Sequence, residues 1–425
     1  MIRKVIPLFL FLHFFLLSAA PSFAEIVVIR AEGAVTPVMS EFISKSIDDA
    51  VRDKSELLLI ELDTPGGLDT SMRSIVKKII ASDVPVAVFV SPSGARAASA
   101  GVFITLAAHV AAMSPGTNIG AAHPVNMGGK MDETVAEKAA NDAAAYIKSL
   151  AEKRGRNADW AEKAVRESVS ITESEALKLK VIDYVAKNTQ ELINVIDGKV
   201  TETAFGTVTI KTKGVPVRYS EPGLRHKILD LISNPNVAYM LMLLGFYGIF
   251  FEMTNPGSIF PGVFGAISLI LAFYSFQTLP VNYAGLMLII LAIVLFILEI
   301  KITSFGILTI GGILSVLIGS LMLFDSPLPF YKLSMKVILP GVLLTTLFFV
   351  LTVKLAVTAY RRKPVTGIEE LEGLEGEARS DIHSEGQVFI HGEIWQAWSE
   401  EPIPKGDKVI VESVEHLKLK VHKKE

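Results

Sequence analysis

Gly94-Ala95-Arg96-Ala97-Ala98-Ser99-Ala100-Gly101 is the stretch whose reading decides the fold. It directly follows the apolar, strand-like run 84–90, and the residues after it read as helix. A serine on a tight turn between strand and helix, with only small neighbours, exposes its oxygen to a substrate. The same residues would also suit a closely packed Ala-rich helix. The pattern on either side has to decide.

Outward from Ser99, strands and helices alternate. Residues 26–29 and 57–62 are short apolar strands, and 36–53 has helical spacing, with Val38, Phe42, Ile43, Ile47 and Val51 on one face. Residues 70–81 form a second helix, 109–113 a further strand, and 132–154 a long amphipathic helix rich in Ala. Such alternation requires crossover connections, so residues 25–201 are expected to form an α/β domain with a mainly parallel sheet.

Three pieces of this domain carry chemistry. Asp63-Thr64-Pro65-Gly66-Gly67 ends the second strand and opens a helix, which leaves backbone N–H groups free to hold an oxyanion. Ser99 precedes Ala100, whose amide falls at a helix N-terminus, where the dipole favours developing negative charge. The third piece is a base, and two residues compete for it. One is His123, in Gly120-Ala121-Ala122-His123-Pro124. The other is Lys138, flanked by Val135, Ala136, Ala139 and Ala140. An amine with such neighbours can pack close to the core, where desolvation lowers a lysine pKa; the alternative is an exposed helical lysine, the commonest fate of that residue. Lys148 and Lys153 lie further along the same helix in polar settings and read as solvated.

The chain has 425 residues, enough for two or three domains. Half of them are hydrophobic, and the mean hydropathy is +0.45. The excess lies in residues 1–24 and 237–360. The first reads as a signal peptide: Arg3 and Lys4, an apolar run 5–17, then Ser22-Phe23-Ala24, with cleavage expected after Ala24. The second holds the apolar blocks 237–251, 259–279, 283–300, 305–324 and 337–360, most of them near the roughly 20 residues that cross a bilayer. The first block is short and contains Gly245 and Gly248, so four or five spans are expected. Arg361-Arg362-Lys363 after the last block reads as cytoplasmic. An N-terminal domain outside then requires an odd number of crossings. Lys301 agrees with this, while Lys332 and Lys336, in the opposite loop, run against it.

Residues 202–236 read as a β segment and linker. Residues 361–425 contain short alternating strands at 387–390, 393–397, 408–412 and 417–421, punctuated by Gly386, Gly392 and Gly406. That pattern predicts a small all-β barrel acting as an interaction module. A net charge of −3 and no basic face argue against a nucleic-acid partner. The absence of cysteine excludes disulfides, thiolate catalysis, lipid attachment at a cysteine and cysteine-bound zinc. No phosphate-binding loop is present, so ATP-driven unfolding would need another protein.

Strand–Asp-Thr-Pro-Gly-Gly, then Ala97-Ala98-Ser99-Ala100-Gly101, then Asn118-Ile119-Gly120-Ala121-Ala122-His123-Pro124-Val125, resembles the Clp/crotonase-type serine peptidases. Ala151-Glu152-Lys153-Arg154-Gly155-Arg156-Asn157 and Glu175-Ala176-Leu177-Lys178-Leu179-Lys180-Val181-Ile182-Asp183 resemble its membrane-bound NfeD branch. Gly386-Gln387-Val388, Gly392-Glu393-Ile394-Trp395 and Gly406-Asp407-Lys408-Val409 are similar to that branch's OB-type barrel. The resemblance covers nearly the whole chain, in the order signal peptide, protease domain, membrane helices, barrel.

The resemblance implies a Ser–Lys dyad, Ser99 and Lys138, with Gly67 and Ala100 as the oxyanion hole. The soluble Clp proteases use Ser–His–Asp instead; their histidine would fall near His123 and their aspartate near Ser168, where no carboxylate stands. His123 then lines the groove or serves as the alternative base. Ala97 departs from the glycine common at this place in a nucleophile elbow. The resemblance also implies a dimer or higher homo-oligomer, a multi-pass protein of the cell (inner) membrane, and no metal or other cofactor. The substrate it implies is an apolar segment of a membrane protein, such as a stomatin/flotillin-like partner. The protease domain is expected outside the cytoplasm and the barrel inside. A non-catalytic scaffold binding the same kind of partner is the competing expectation.

Overall fold

The computed structural model describes residues 24–125, 132–254, 257, 259–302, 304, 306–324, 326, 331–361 and 371–424. The expected signal peptide lies outside this set, apart from Ala24. Two compact units divide the chain: Met1–Leu295 with Ile310–Leu344, and Phe296–Thr309 with Thr345–Glu425.

The N-terminal domain alternates as the pattern predicts. Its elements are β1 (Ile26–Glu32), α1 (Pro37–Arg52), β2 (Leu57–Asp63), α2 (Asp69–Ile80), β3 (Val86–Val90), β4 (Arg96–Ala98), α3 (Ala100–Ala107), β5 (Val110–Met113) and β6 (Asn118–Gly120). There follow α4 (Glu133–Lys153), α5 (Ala158–Arg166), β7 (Ser170–Thr172), α6 (Glu173–Lys178), β8 (Tyr184–Val185), α7 (Thr189–Val195), β9 (Val200–Thr203), β10 (Gly206–Thr209) and β11 (Val217–Ser220). Six strands form one parallel sheet in the order β11-β1-β2-β3-β5-β8. Both faces are covered, which is why β2 reads as an unbroken apolar run rather than an alternating one. Leu58, Ile60 and Leu62 face a layer with Ile43, Ile75 and Val102; Leu57 and Leu59 face Leu192, Ile196 and Ile210.

Two sequence boundaries shift. A domain end at residue 201 falls inside β9, and β11 pairs in parallel with β1 (Ile26↔Val217), so the chain through Ser220 belongs to this sheet. The segment read as a linker contains a helix, α8 (Leu224–Ile232). Its local sequence alone resembles a loop because the residues that fix it, His226 against Phe42, are brought together only by packing.

Five apolar helices follow: α9 (Pro235–Thr254), α10 (Ile259–Phe276), α11 (Tyr283–Lys301), α12 (Ile307–Met322) and α13 (Met335–Arg361). Among the described residues, three segments are long and apolar enough to cross a membrane, Pro235–Thr254, Ile259–Phe276 and Met335–Thr352; Tyr283–Glu299 and Ile307–Met322 are shorter. The first block is not short, since α9 runs unbroken for 20 residues. Gly245 in it meets α10 at close range: a Cβ on Gly265 would stand 2.8 Å from the Gly245 carbonyl oxygen. Small residues let helix backbones approach where lipid offers no hydrophobic drive for association. Glu299, the charge within the third block, accepts from Ser304 Oγ and from the Gly306 and Thr309 amides, so it caps the start of α12.

The C-terminal strands β12 (Glu375–Ala378), β13 (Gly386–Ile390), β14 (Glu393–Trp398), β15 (Lys408–Glu415) and β16 (Lys418–Lys423) close into a barrel in the order β12-β13-β14-β16-β15. Val388, Ile390, Val409, Val411, Leu419 and Val421 fill it. β12 escaped the sequence pattern because Glu375-Gly376-Glu377 hardly alternates; Gly376 is there because a Cβ would fall 2.6 Å from the Phe389 carbonyl oxygen.

Candidate active site

Ser99 is the N-cap of α3, with φ +51° and ψ −112°. A non-glycine residue avoids such a backbone unless its surroundings over-determine it, and such strain concentrates at functional sites. Two elements do the determining. On one side β4 pairs with β6, and the Ser99 amide donates to the Gly120 carbonyl at 3.2 Å. On the other, α3 is buried over its whole length, so the helix cannot turn to relieve the strain. Ala97, where glycine was the expectation, fits: it is fully buried in β4, opposite Thr64.

The Pro-Gly-Gly turn packs directly on the serine. A Cβ on Gly66 would stand 2.7 Å from the Ser99 Cβ. Val35 holds the turn as a strand would: its amide donates to the Gly66 carbonyl at 2.8 Å, and its carbonyl accepts from the Leu68 amide at 2.9 Å. Among the described residues nothing accepts from the amides of Gly67 or Ala100, and the Ser99 hydroxyl makes no hydrogen bond. The Gly66 turn and the start of α3, which holds Ala100, thus both adjoin Ser99.

Thr64 was not singled out by its sequence. It is fully buried; its Oγ1 accepts from the Gly66 amide at 3.0 Å and donates to the Gly66 carbonyl at 3.2 Å. Its methyl fills the space over Gly101, where a Cβ would come within 2.7 Å. One side chain therefore sets the turn and the start of α3 together.

The two base candidates stand differently. Lys138 lies in the second turn of α4 and is exposed, with no hydrogen bond or ion pair among the described residues. The expected burial is not found. The fully buried positions of α4 begin at Ala143; Val135 is 53 % exposed, and Ala136, Ala139 and Ala140 are only partly buried. No contact among the described residues joins Lys138 to Ser99. His123 is also exposed; its Nδ1–H donates to the Val165 carbonyl at 2.9 Å. Ser168, where a triad carboxylate would be needed, is an exposed residue at φ +55°. A carbonyl orients the ring but cannot balance an imidazolium charge as a carboxylate does.

Behind α3 lies the explanation of the two longer sequence stretches. Arg156 Nη1 donates to the Leu106 carbonyl at 2.7 Å and the Ala108 carbonyl at 2.9 Å, and Arg154 Nε to the Ala107 carbonyl at 2.9 Å. Two guanidiniums thus close the C-terminal end of the serine's helix, where cations are favoured. Arg156 Nη2 in turn bonds Asp183 at 2.8 Å, and Asp183 accepts from the Ala111 amide. Burial by itself would raise the Asp183 carboxyl; the Arg156 charge and these hydrogen bonds outweigh it and hold it below its ordinary value. His109, buried beside both arginines, accepts from the Val86 amide through Nδ1 and is pushed down to about 3 by burial first and the arginine charges next.

Three family models match along the chain: the NfeD1b N-terminal domain over residues 25–206, the NfeD integral membrane domain over 236–354, and the NfeD-like C-terminal, partner-binding domain over 368–423. The chain is 37 % identical over 417 residues to the membrane-bound protease PH1510 of Pyrococcus horikoshii, covering 94 % of each. It is 28 % identical over 306 residues to the membrane protein NfeD1b of Bacillus subtilis, covering 71 % of this chain and 68 % of that one. Among solved structures, the 1510-N membrane protease specific for a stomatin homolog from Pyrococcus horikoshii matches at 37 % identity and TM-score 0.43, covering 49 % of this chain and 97 % of that one. The C-terminal domain of the stomatin operon partner protein 1510-C matches at 37 % identity and TM-score 0.14, covering 14 % and 97 %.

Domain order, fold and relatives define a membrane-bound protease with a Clp-like N-terminal domain and an OB-like C-terminal barrel. The chain belongs to the NfeD family.

Proposed function

We propose that Ser99 is the nucleophile of a Ser–Lys endopeptidase, with Lys138 as general base and the Gly67 and Ala100 amides as the oxyanion hole. The observation that carries this reading is the strained Ser99 backbone at the head of a buried helix, between two amides that donate to nothing. Lys138 accepts the hydroxyl proton, Ser99 Oγ attacks the scissile carbonyl, and the protonated amine supplies the leaving nitrogen. A water deprotonated by the same amine then frees the acyl group. No step calls on a cofactor.

Lys138 has to be neutral to do this, which calls for cover from solvent. The missing cover comes from outside the single chain: the apolar substrate segment lying over Val125 and Val135, or a second copy in a homodimer or larger assembly. Both valines are at least half exposed, 50 % and 53 %. The substrate is an apolar segment of a membrane protein, of the stomatin kind named for the Pyrococcus relative, and the barrel binds a partner of that kind. The protease domain lies outside the cytoplasm and the barrel inside, with five crossings between them.

The test is peptide cleavage by the full chain in detergent with an apolar substrate. Ser99→Ala and Lys138→Ala should each lower turnover by about 10³-fold or more, while His123→Ala keeps most of it. An inactive His123→Ala beside an active Lys138→Ala transfers the base to His123.

A further inference from the structure

We propose that α8 is an interfacial helix: Leu224, Ile228 and Leu231 lie in the lipid–water boundary of the membrane that α9 enters. These side chains are 75 %, 48 % and 60 % exposed, although each is large and apolar. Their spacing, i, i+4 and i+7, puts them on one stripe of the helix. The opposite face is occupied. His226 is buried edge-on against Phe42, with ring centroids 5.9 Å apart, and Arg225 bonds Glu41 at 2.8 Å. A stripe that the domain could have turned inward is instead presented outward.

Its place in the chain says what covers it. Only Ser233 and Asn234 separate α8 from Pro235, the first residue of a membrane-length helix. The carbonyl of Ile232 accepts from Ser275 Oγ at 2.5 Å, and Ser275 stands one residue before the end of α10. Asn236 Oδ1 accepts from the Ser334 amide at 2.9 Å, just ahead of α13. The tail of α10 meets α8 and the chain ahead of α13 meets the head of α9 two residues beyond Asn234, so α8 lies at the depth where the bilayer ends. An amphipathic helix at that depth buries its apolar stripe among headgroups and upper acyl chains. Lys227 flanks the stripe and can carry its ammonium outward along the headgroups.

This seat bears on the protease domain. Glu41 and Phe42 sit on α1, and α1 begins immediately after Val35, the residue that pins the Gly66 turn. The domain is therefore tied to the membrane surface through a packed helix as well as through the chain.

Because the chain has no cysteine, single-site labelling is clean. Single cysteines at Leu224, Ile228, Leu231 and, as a water control, Glu221 would carry an environment-sensitive fluorophore, in full-length protein at one copy per lipid nanodisc. Lipids bearing a quencher at a shallow acyl position should quench Ile228→Cys and Leu231→Cys at least about twofold more than Glu221→Cys. Equal quenching at all sites overturns the proposal. Protection at Ile228 and Leu231 that appears only in discs holding two copies overturns it too, and assigns the stripe to a protomer interface. Both outcomes are independent of which residue is the catalytic base.

Discussion

Gly66 leaves no room for a side chain beside Ser99: a Cβ there would fall 2.7 Å from the serine's Cβ and 3.2 Å from its Oγ. Its φ of +112° is also one that L residues rarely adopt. Gly66→Ala should therefore strain the turn and displace the serine at once. The expected outcome is loss of peptide cleavage by about 10²-fold or more, at a stability cost of about 1–3 kcal/mol. Cleavage rates read together with thermal unfolding separate the two effects; a variant as active as the parent removes the turn from the site.

Thr64→Val keeps the shape and removes the hydroxyl that serves the Gly66 amide and carbonyl. The Gly66 carbonyl keeps the Val35 amide, but leaving the buried Gly66 amide unpaired costs about 1–3 kcal/mol. Turnover should fall by about tenfold with little change in KM, because the turn is needed most when the oxyanion forms. Thr64→Ser, which restores the hydroxyl, should recover most of the turnover. A loss in Thr64→Ser with turnover kept in Thr64→Val would point to packing of the methyl on Gly101 instead.

Arg156→Met should be among the most destabilising single changes in the N-terminal domain. It takes from Asp183 Oδ2 its nearest cation, leaving the Ala111 amide and Lys199 at 3.6 Å, and it removes one of the two guanidiniums at the end of α3. Breaking a buried pair by removing one partner costs about 3–5 kcal/mol. In the double variant Arg156→Met/Asp183→Asn the two costs should sum to less than the separate losses. Denaturant midpoints of the four proteins measure this directly.

Acid should weaken the N-terminal domain below pH 6.5. In the folded chain His109 titrates only near 3, whereas the unfolded chain takes up that proton from 6.5 downward. The unfolded state therefore binds more protons through this window, and stability falls with pH by up to about 1.4 kcal/mol per unit from this group. Asp183, held below its ordinary 3.8, adds a loss in the same direction at lower pH still. His109→Asn keeps an acceptor for the Val86 amide and should flatten the slope between pH 7 and 5, as read from unfolding curves at each pH.

The stretches that could be read directly were those whose meaning is local. The apolar strands before Asp63 and Ser91, the small residues around Ser99 and the glycine-punctuated barrel each declare themselves within about ten residues. β11 lay in a stretch that reads as β, but its place in the sheet did not show, because a four-residue edge strand is placed by its partner β1, nearly two hundred residues earlier. Thr64 did not either: a threonine in a turn is ordinary until its hydroxyl is seen to bridge both polar groups of Gly66. Arg156 and Asp183 were visible as parts of two unusual stretches, but their joint task, closing α3, exists only in three dimensions.

By itself the sequence determined the alternation that builds a parallel sheet, the placing of a serine between strand and helix, the apolar blocks and the family. Periodicity and side-chain size act between near neighbours and survive in a one-dimensional pattern. Tertiary structure alone decided the strained backbone at Ser99, the closeness of Gly66 and the free amides on either side. It also decided that Lys138 is left in solvent. Small apolar neighbours promised burial, but burial depends on what another element lays over them, and the fully buried positions of α4 begin only at Ala143.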